Sequence, residues 1–288
     1  MIFGDSFVVG REIPSDKTVN ADLERILISD KIPAEVINAG VQGYSTDQVL
    51  LAMEKFVPAY KPDIVMYGLC SNDFGGNMLE ESYGIPKPVF SLKNDNHLEA
   101  HFPVFQNNRS IGIEKKPQSW LQYSALYRLL QPQIFYIRAK FMKWDEWNTV
   151  GFCDDFYYDP EAVKKIDKKL FVAMLQKMKK ISEDNEANIV FYLQPHLGEV
   201  WEPHIKFIEK KFRLKSGQYD RYALQKFLSK IAEKSSMPFC SMIDFFVAHQ
   251  SRGPFHMLPR DQHPNAAGYE MVSEALAKFL SDEGLLKR

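Results

Sequence analysis

In Pro62-Asp63-Ile64-Val65-Met66-Tyr67-Gly68-Leu69-Cys70-Ser71-Asn72-Asp73, four bulky apolar residues, Ile64 to Tyr67, follow one another without a polar break. That is the pattern of a strand covered on both faces. Ile189-Val190-Phe191-Tyr192 repeats it. Strands of this kind belong to a parallel sheet flanked by helices, a three-layer α/β arrangement. The shorter runs Met1–Phe3, Ala34–Asn38 and Pro238–Asp244 alternate with helical patterns, so the chain reads as βαβ units around about five parallel strands.

The helices carry the 3.6-residue period. Leu224, Phe227, Leu228 and Ile231 share one stripe, and Val272, Ala275, Leu276 and Phe279 share another. Ser45-Thr46-Asp47-Gln48 is a capping box, which starts a helix just after Gly43 with Leu50, Met53 and Val57 on its buried face. The Lys/Glu-rich stretch from Lys164 to Glu186 reads as the wet face of a helix.

Residues 74–160 break the βα rhythm, with Gly75-Gly76, Pro86, Pro88, Pro103 and Pro117 and no long periodic stretch before Ser119. They read as an insertion within a single domain spanning 1–288. Its later part is dense in aromatic residues, Trp120, Trp144 and Trp147 among them. These rings form either the insertion's own core or a cap that presents them to a substrate.

Lys and Arg total 36 and Asp and Glu 37, a net charge of −1, which argues against a nucleic-acid partner. No apolar run approaches the roughly 18 residues of a membrane span, and the first residues lack the regions of a signal peptide. Cys70, Cys153 and Cys240 are too far apart to suggest a disulfide framework or a CxxC metal site, and the histidines lack zinc-binding spacing. No metal and no organic cofactor is expected.

Four motifs stand at strand ends, where an open parallel sheet places its ligands. Gly4-Asp5-Ser6 puts a hydroxyl directly after the first strand, although the same triplet also makes a good turn. Gly43 follows the second strand, where its N–H can face an oxyanion or simply serve a turn. Asn72 offers an amide at the tip of the third strand, or an Asx turn, and Asp73 can support that loop. In Arg260-Asp261-Gln262-His263-Pro264 a histidine precedes the last helix with a carboxylate two residues earlier, the makings of a base and its orienting acid or of a surface loop. His196 and Trp201 follow the fourth strand, where His196 can line a substrate pocket.

Taken in chain order, these blocks resemble the SGNH, or GDSL-type, hydrolase superfamily, and in particular its bacterial esterase and acyltransferase-like branch. The resemblance rests on Gly4-Asp5-Ser6-Phe7-Val8-Val9-Gly10, Val36 to Gln48, Pro62-Asp63-Ile64-Val65 and His263-Pro264-Asn265-Ala266-Ala267-Gly268. It covers residues 1–73 and about 160–280 and leaves the insertion unexplained. It implies a flavodoxin-like strand order, 2-1-3-4-5, and a serine esterase or acyl hydrolase with Ser6 as nucleophile, His263 as base and Asp261 as its carboxylate. The implied oxyanion hole consists of the Ser6 N–H, the Gly43 N–H and the Asn72 amide. The substrate would be a small-molecule or glycan-linked acyl ester. Transfer of an acyl group to a glycan hydroxyl, or non-catalytic glycan or lipid binding, are the alternatives on the same scaffold.

Two positions depart from the family pattern. Its Asp usually stands three residues before His, where this chain has Arg260, and its glycine two before Asn is Cys70 here, a larger side chain that would narrow the pocket. Only Met1 to Phe3 are available for a strand that would be central. Either that strand is minimal, or the chain belongs to a longer protein with an export or membrane segment upstream. As it stands the sequence reads as cytoplasmic.

Overall fold

The computed structural model describes residues 1–82, 85–93, 97–103, 154–257 and 261–286. Its centre is a five-stranded, wholly parallel sheet of β1 (Ile2–Gly4), β2 (Asn38–Gly40), β3 (Ile64–Leu69), β4 (Asn188–Leu193) and β5 (Phe239–Cys240). The spatial order is β2-β1-β3-β4-β5, as the resemblance implied. Three residues suffice for the central β1 because both sides are paired, Ile2 with Asn38 and Met66, and Gly4 with Gly40 and Gly68.

Two strands differ from their sequence reading. β2 lies at Asn38–Gly40 rather than Ala34–Asn38, because it can pair only where β1 runs. The Asn38 amide also fixes that register, donating to Val8 O (2.8 Å) and accepting from Gly40 N (3.0 Å). β5 is confined to two residues, after which the chain turns into a helix at Ile243.

Alternating strand residues feed two cores. Phe3, Val65, Tyr67, Leu69, Phe191 and Leu193 meet α3 (Thr46–Tyr60), with further cover from helices at Lys168–Glu183 and Ala223–Ser235. On the opposite face, Ile2, Met66, Val190 and Tyr192 meet α2 (Val19–Ser29) and a helix at Ala266–Asp282. The three layers follow. At Lys168–Glu183 the stripe Phe171, Met174, Leu175, Met178 and Ile181 is buried while the lysines face water, as the Lys/Glu-rich pattern required.

After β3 comes the four-residue α4 (Asp73–Gly76), then two small antiparallel pairs, Glu81–Ser82 with Ile85–Pro86 and Val89–Leu92 with Leu98–His101. Phe90 from the second pair joins the first core. Trp120, Trp144 and Trp147 lie outside the described residues. Cys70 and Cys240 are buried. Among the described residues no helix is long and apolar enough to cross a membrane.

Candidate active site

β1 ends at Gly4, and the chain turns at once into α1 (Ser6–Val9). The turn is tight enough that a Cβ on Gly4 would stand 2.4 Å from Val8 Cγ2 and 2.7 Å from the Gly68 carbonyl, so glycine is required there. Asp5 caps α1, its Oδ1 accepting from Phe7 N at 2.9 Å, and this leaves Ser6 half-buried at the carboxyl edge of the sheet.

His263 arrives from the loop before the last helix. Its Nε2 lies 2.8 Å from Ser6 Oγ, and its Nδ1 is hydrogen-bonded to Asp261 Oδ1. The same carboxylate oxygen accepts the backbone N–H of His263 at 2.9 Å. This i to i+2 turn brings a carboxylate only two residues upstream onto the imidazole. The Phe7 ring packs on the imidazole with centroids 4.5 Å apart. Backbone bonds from Met257 N to His263 O (2.9 Å) and from Asp261 N to Met257 O (3.1 Å) hold the loop, and Asn265 caps the helix beyond it through Gly268 N (2.9 Å).

Asn72 stands just past β3, where its Nδ2 donates to Asp5 Oδ2 at 3.2 Å. A carboxylate can only accept, so this contact sets which way the amide faces. Asp5 is therefore a residue that sequence reasoning passed over; it caps the serine helix and orients Asn72. Burial raises the Asp5 carboxyl above its ordinary range, opposed by Phe7 N–H, by the Asn72 amide and by the charge of His263. Asp73 is wholly buried and pushed well above that range, first by burial and then by the charge of Asp5. It holds the loop through Cys70 N (2.9 Å).

Gly43 has φ +76°, a conformation that favours glycine. Its loop is anchored to the same sheet edge by Val41 N donating to Gly4 O (3.0 Å), and Gly43 O accepts from Ser82 Oγ (3.1 Å). His196 is buried. Its Nδ1 accepts from Gly198 N at 3.3 Å, so the ring proton sits on Nε2 and donates to Gln262 Oε1 at 2.7 Å. It thus grips the residue between Asp261 and His263. Gln262 is a second residue missed, and its position between Asp261 and His263 was its only signal. Among the described residues no cluster of three or more His, Cys, Asp or Glu side chains could hold a metal.

A hydroxyl, an imidazole and a carboxylate bonded in a row at the carboxyl edge of a 2-1-3-4-5 sheet belong to the SGNH class of ester-hydrolysing enzymes. The likeness runs far beyond the site. Residues 2–271 match the GDSL-like lipase/acylhydrolase family, and the chain belongs to it. Its substrates are accordingly acyl esters. No curated protein matches the chain. Among solved structures, an acetyl xylan esterase, AlAXEase, is 14% identical with a TM-score of 0.49, covering 96% of this chain and 97% of the other. The psychrotrophic esterase EstA from Pseudoalteromonas sp. is 11% identical at a TM-score of 0.47, with 98% and 96% covered. A catalytic mutant of an acetylxylan esterase from Geobacillus stearothermophilus is 13% identical at 0.46, with 97% and 92% covered.

Proposed function

We propose that the chain is a serine esterase that cleaves its acyl ester through a covalent acyl-enzyme. The observation that carries this reading is the 2.8 Å approach of His263 Nε2 to Ser6 Oγ, with Asp261 bonded to the other ring nitrogen. His263 takes the hydroxyl proton as Ser6 Oγ bonds to the acyl carbon, and the carbonyl oxygen becomes an anion. The Ser6 N–H, the Gly43 N–H and the Asn72 amide stabilise that anion. The imidazolium, held by Asp261, returns its proton to the departing alcohol oxygen as the C–O bond breaks. Water then gives a proton to His263 and its oxygen to the acyl carbon; the Ser6 ester bond breaks, the acid leaves and the hydroxyl is restored.

The test is product analysis on p-nitrophenyl esters of increasing acyl length, with and without a sugar acceptor. Hydrolysis releases one free acid per nitrophenol whether or not sugar is present. Acyl groups appearing on the sugar would make the chain a transferase instead, and absence of turnover on every ester would support the binding-only alternative.

A further inference from the structure

A chain of buried side chains runs beneath the proposed oxyanion hole and ends on the insertion. Next to Asn72, Asp73 Oδ2 lies 3.3 Å from the Tyr67 hydroxyl, which lies 2.9 Å from Thr46 Oγ1. Thr46 Oγ1 accepts from Asn77 Nδ2 (3.0 Å), and Asn77 Oδ1 accepts from Asp47 N (3.3 Å). Asp47 Oδ2 is paired with Lys87 Nζ, and both side chains are almost wholly buried, at 1% and 2% exposure. Thr46 and Asp47 open α3, directly after the loop that carries Gly43. The chain of contacts therefore joins the two segments that carry the non-serine donors. The insertion grips the Gly43 loop a second time, through Ser82 Oγ on the Gly43 carbonyl (3.1 Å). α4 is packed so closely on this corner that a Cβ on Gly76 would lie 2.0 Å from Ser45 Oγ.

A buried ion pair is a poor source of net stability, because removing two charges from water offsets most of their attraction, yet losing one partner is costly. What such a pair does secure is one fixed arrangement, and oxyanion donors work only when aimed at the position the anion will occupy. We propose that Lys87, aided by Ser82, is a positioning residue for the oxyanion hole, setting the Gly43 loop against the Asn72 strand tip. This rests on the reading of Gly43 and Asn72 as hole donors.

The test uses the full chain and p-nitrophenyl acetate. Lys87→Met alone strands a buried carboxylate, so it is combined with Asp47→Asn, which removes both charges and keeps an oxygen for Gln48 N–H. The double variant should lose about 10- to 100-fold in kcat, the cost of a donor displaced by about 1 Å. KM should stay within about twofold, since ground-state binding is spared. In an Asn72→Ala background the same double change should cost markedly less, because the donor it positions is already gone. Unchanged kcat in the folded double variant overturns the proposal even if the melting temperature falls, and so does an equal loss in both backgrounds. If the double variant does not fold, Ser82→Ala decides: a fall in kcat at constant KM supports the proposal, and wild-type kcat overturns it. Wild-type kcat in Asn72→Ala itself is a separate result, which removes the oxyanion-hole reading.

Discussion

Asp261 reaches His263 with one oxygen that serves two donors, the backbone N–H and the ring Nδ1. The shorter Asp-to-His spacing is thereby accommodated without moving the imidazole from Ser6. Ser6 and His263 should act as one unit. Ser6→Ala and His263→Ala are each expected to lose at least about a thousandfold in kcat/KM, and the double variant little more than either. Asp261→Asn should cost less, since it keeps a side chain beside the imidazole. Additive losses in the double variant would show that the two side chains work separately. Ser6, Gly43 and Asn72 were proposed from local motifs that follow β1, β2 and β3, and His263 from one that precedes the last helix. The roles of Asp5 and Gln262 were not, because their partners Asn72 and His196 lie 67 and 66 residues away in sequence and only the folded sheet edge brings them together.

At the level of elements, the helices were easier to read than the strands. The capping box at Ser45 forms, with Gln48 Oε1 accepting from Ser45 N (3.3 Å), because its partners are three residues apart. β2 was displaced because its bounds depend on what β1 offers, which no local pattern records. The short helix Leu197–Val200, behind the loop that carries His263, has its own titration. His196 caps it, and Glu199 Oε2 accepts from His196 N at 3.0 Å. Burial pushes Glu199 from an ordinary 4.5 up to about 8. A raised carboxyl pKa means that the folded chain holds a proton the unfolded chain has released. The associated stability is therefore complete below about pH 4.5 and lost as pH rises through about 8. His256, held at about 3 by burial, works in the opposite sense, its share present above about 6.5 and lost on acidification. Between pH 6.5 and 8, Glu199→Gln should therefore flatten the decline of melting temperature with pH. Parallel curves for wild type and variant would contradict the buried, protonated Glu199.

For the whole molecule, two apolar runs, at Ile64 to Tyr67 and Ile189 to Tyr192, were enough to announce a sheet covered on both sides, and both cores are present. The strand order came from the family resemblance, since hydrophobic pattern alone does not say which strands are neighbours. The insertion was recognisable as a break in rhythm, but its contacts, Ser82 on the Gly43 carbonyl and Lys87 on Asp47 at the start of α3, were hidden, and a lysine in sequence looks like a surface residue. The central claim is that the fold presents Ser6 as a nucleophile activated by His263. The most direct measurement is reaction of the folded protein with an alkyl p-nitrophenyl phosphonate, followed by peptide mass mapping. The expected result is one phosphonyl group per chain on the peptide containing Ser6, absent from Ser6→Ala and strongly slowed in His263→Ala. A folded protein that stays unlabelled, or is labelled at another residue with Ser6 unmodified, would contradict it.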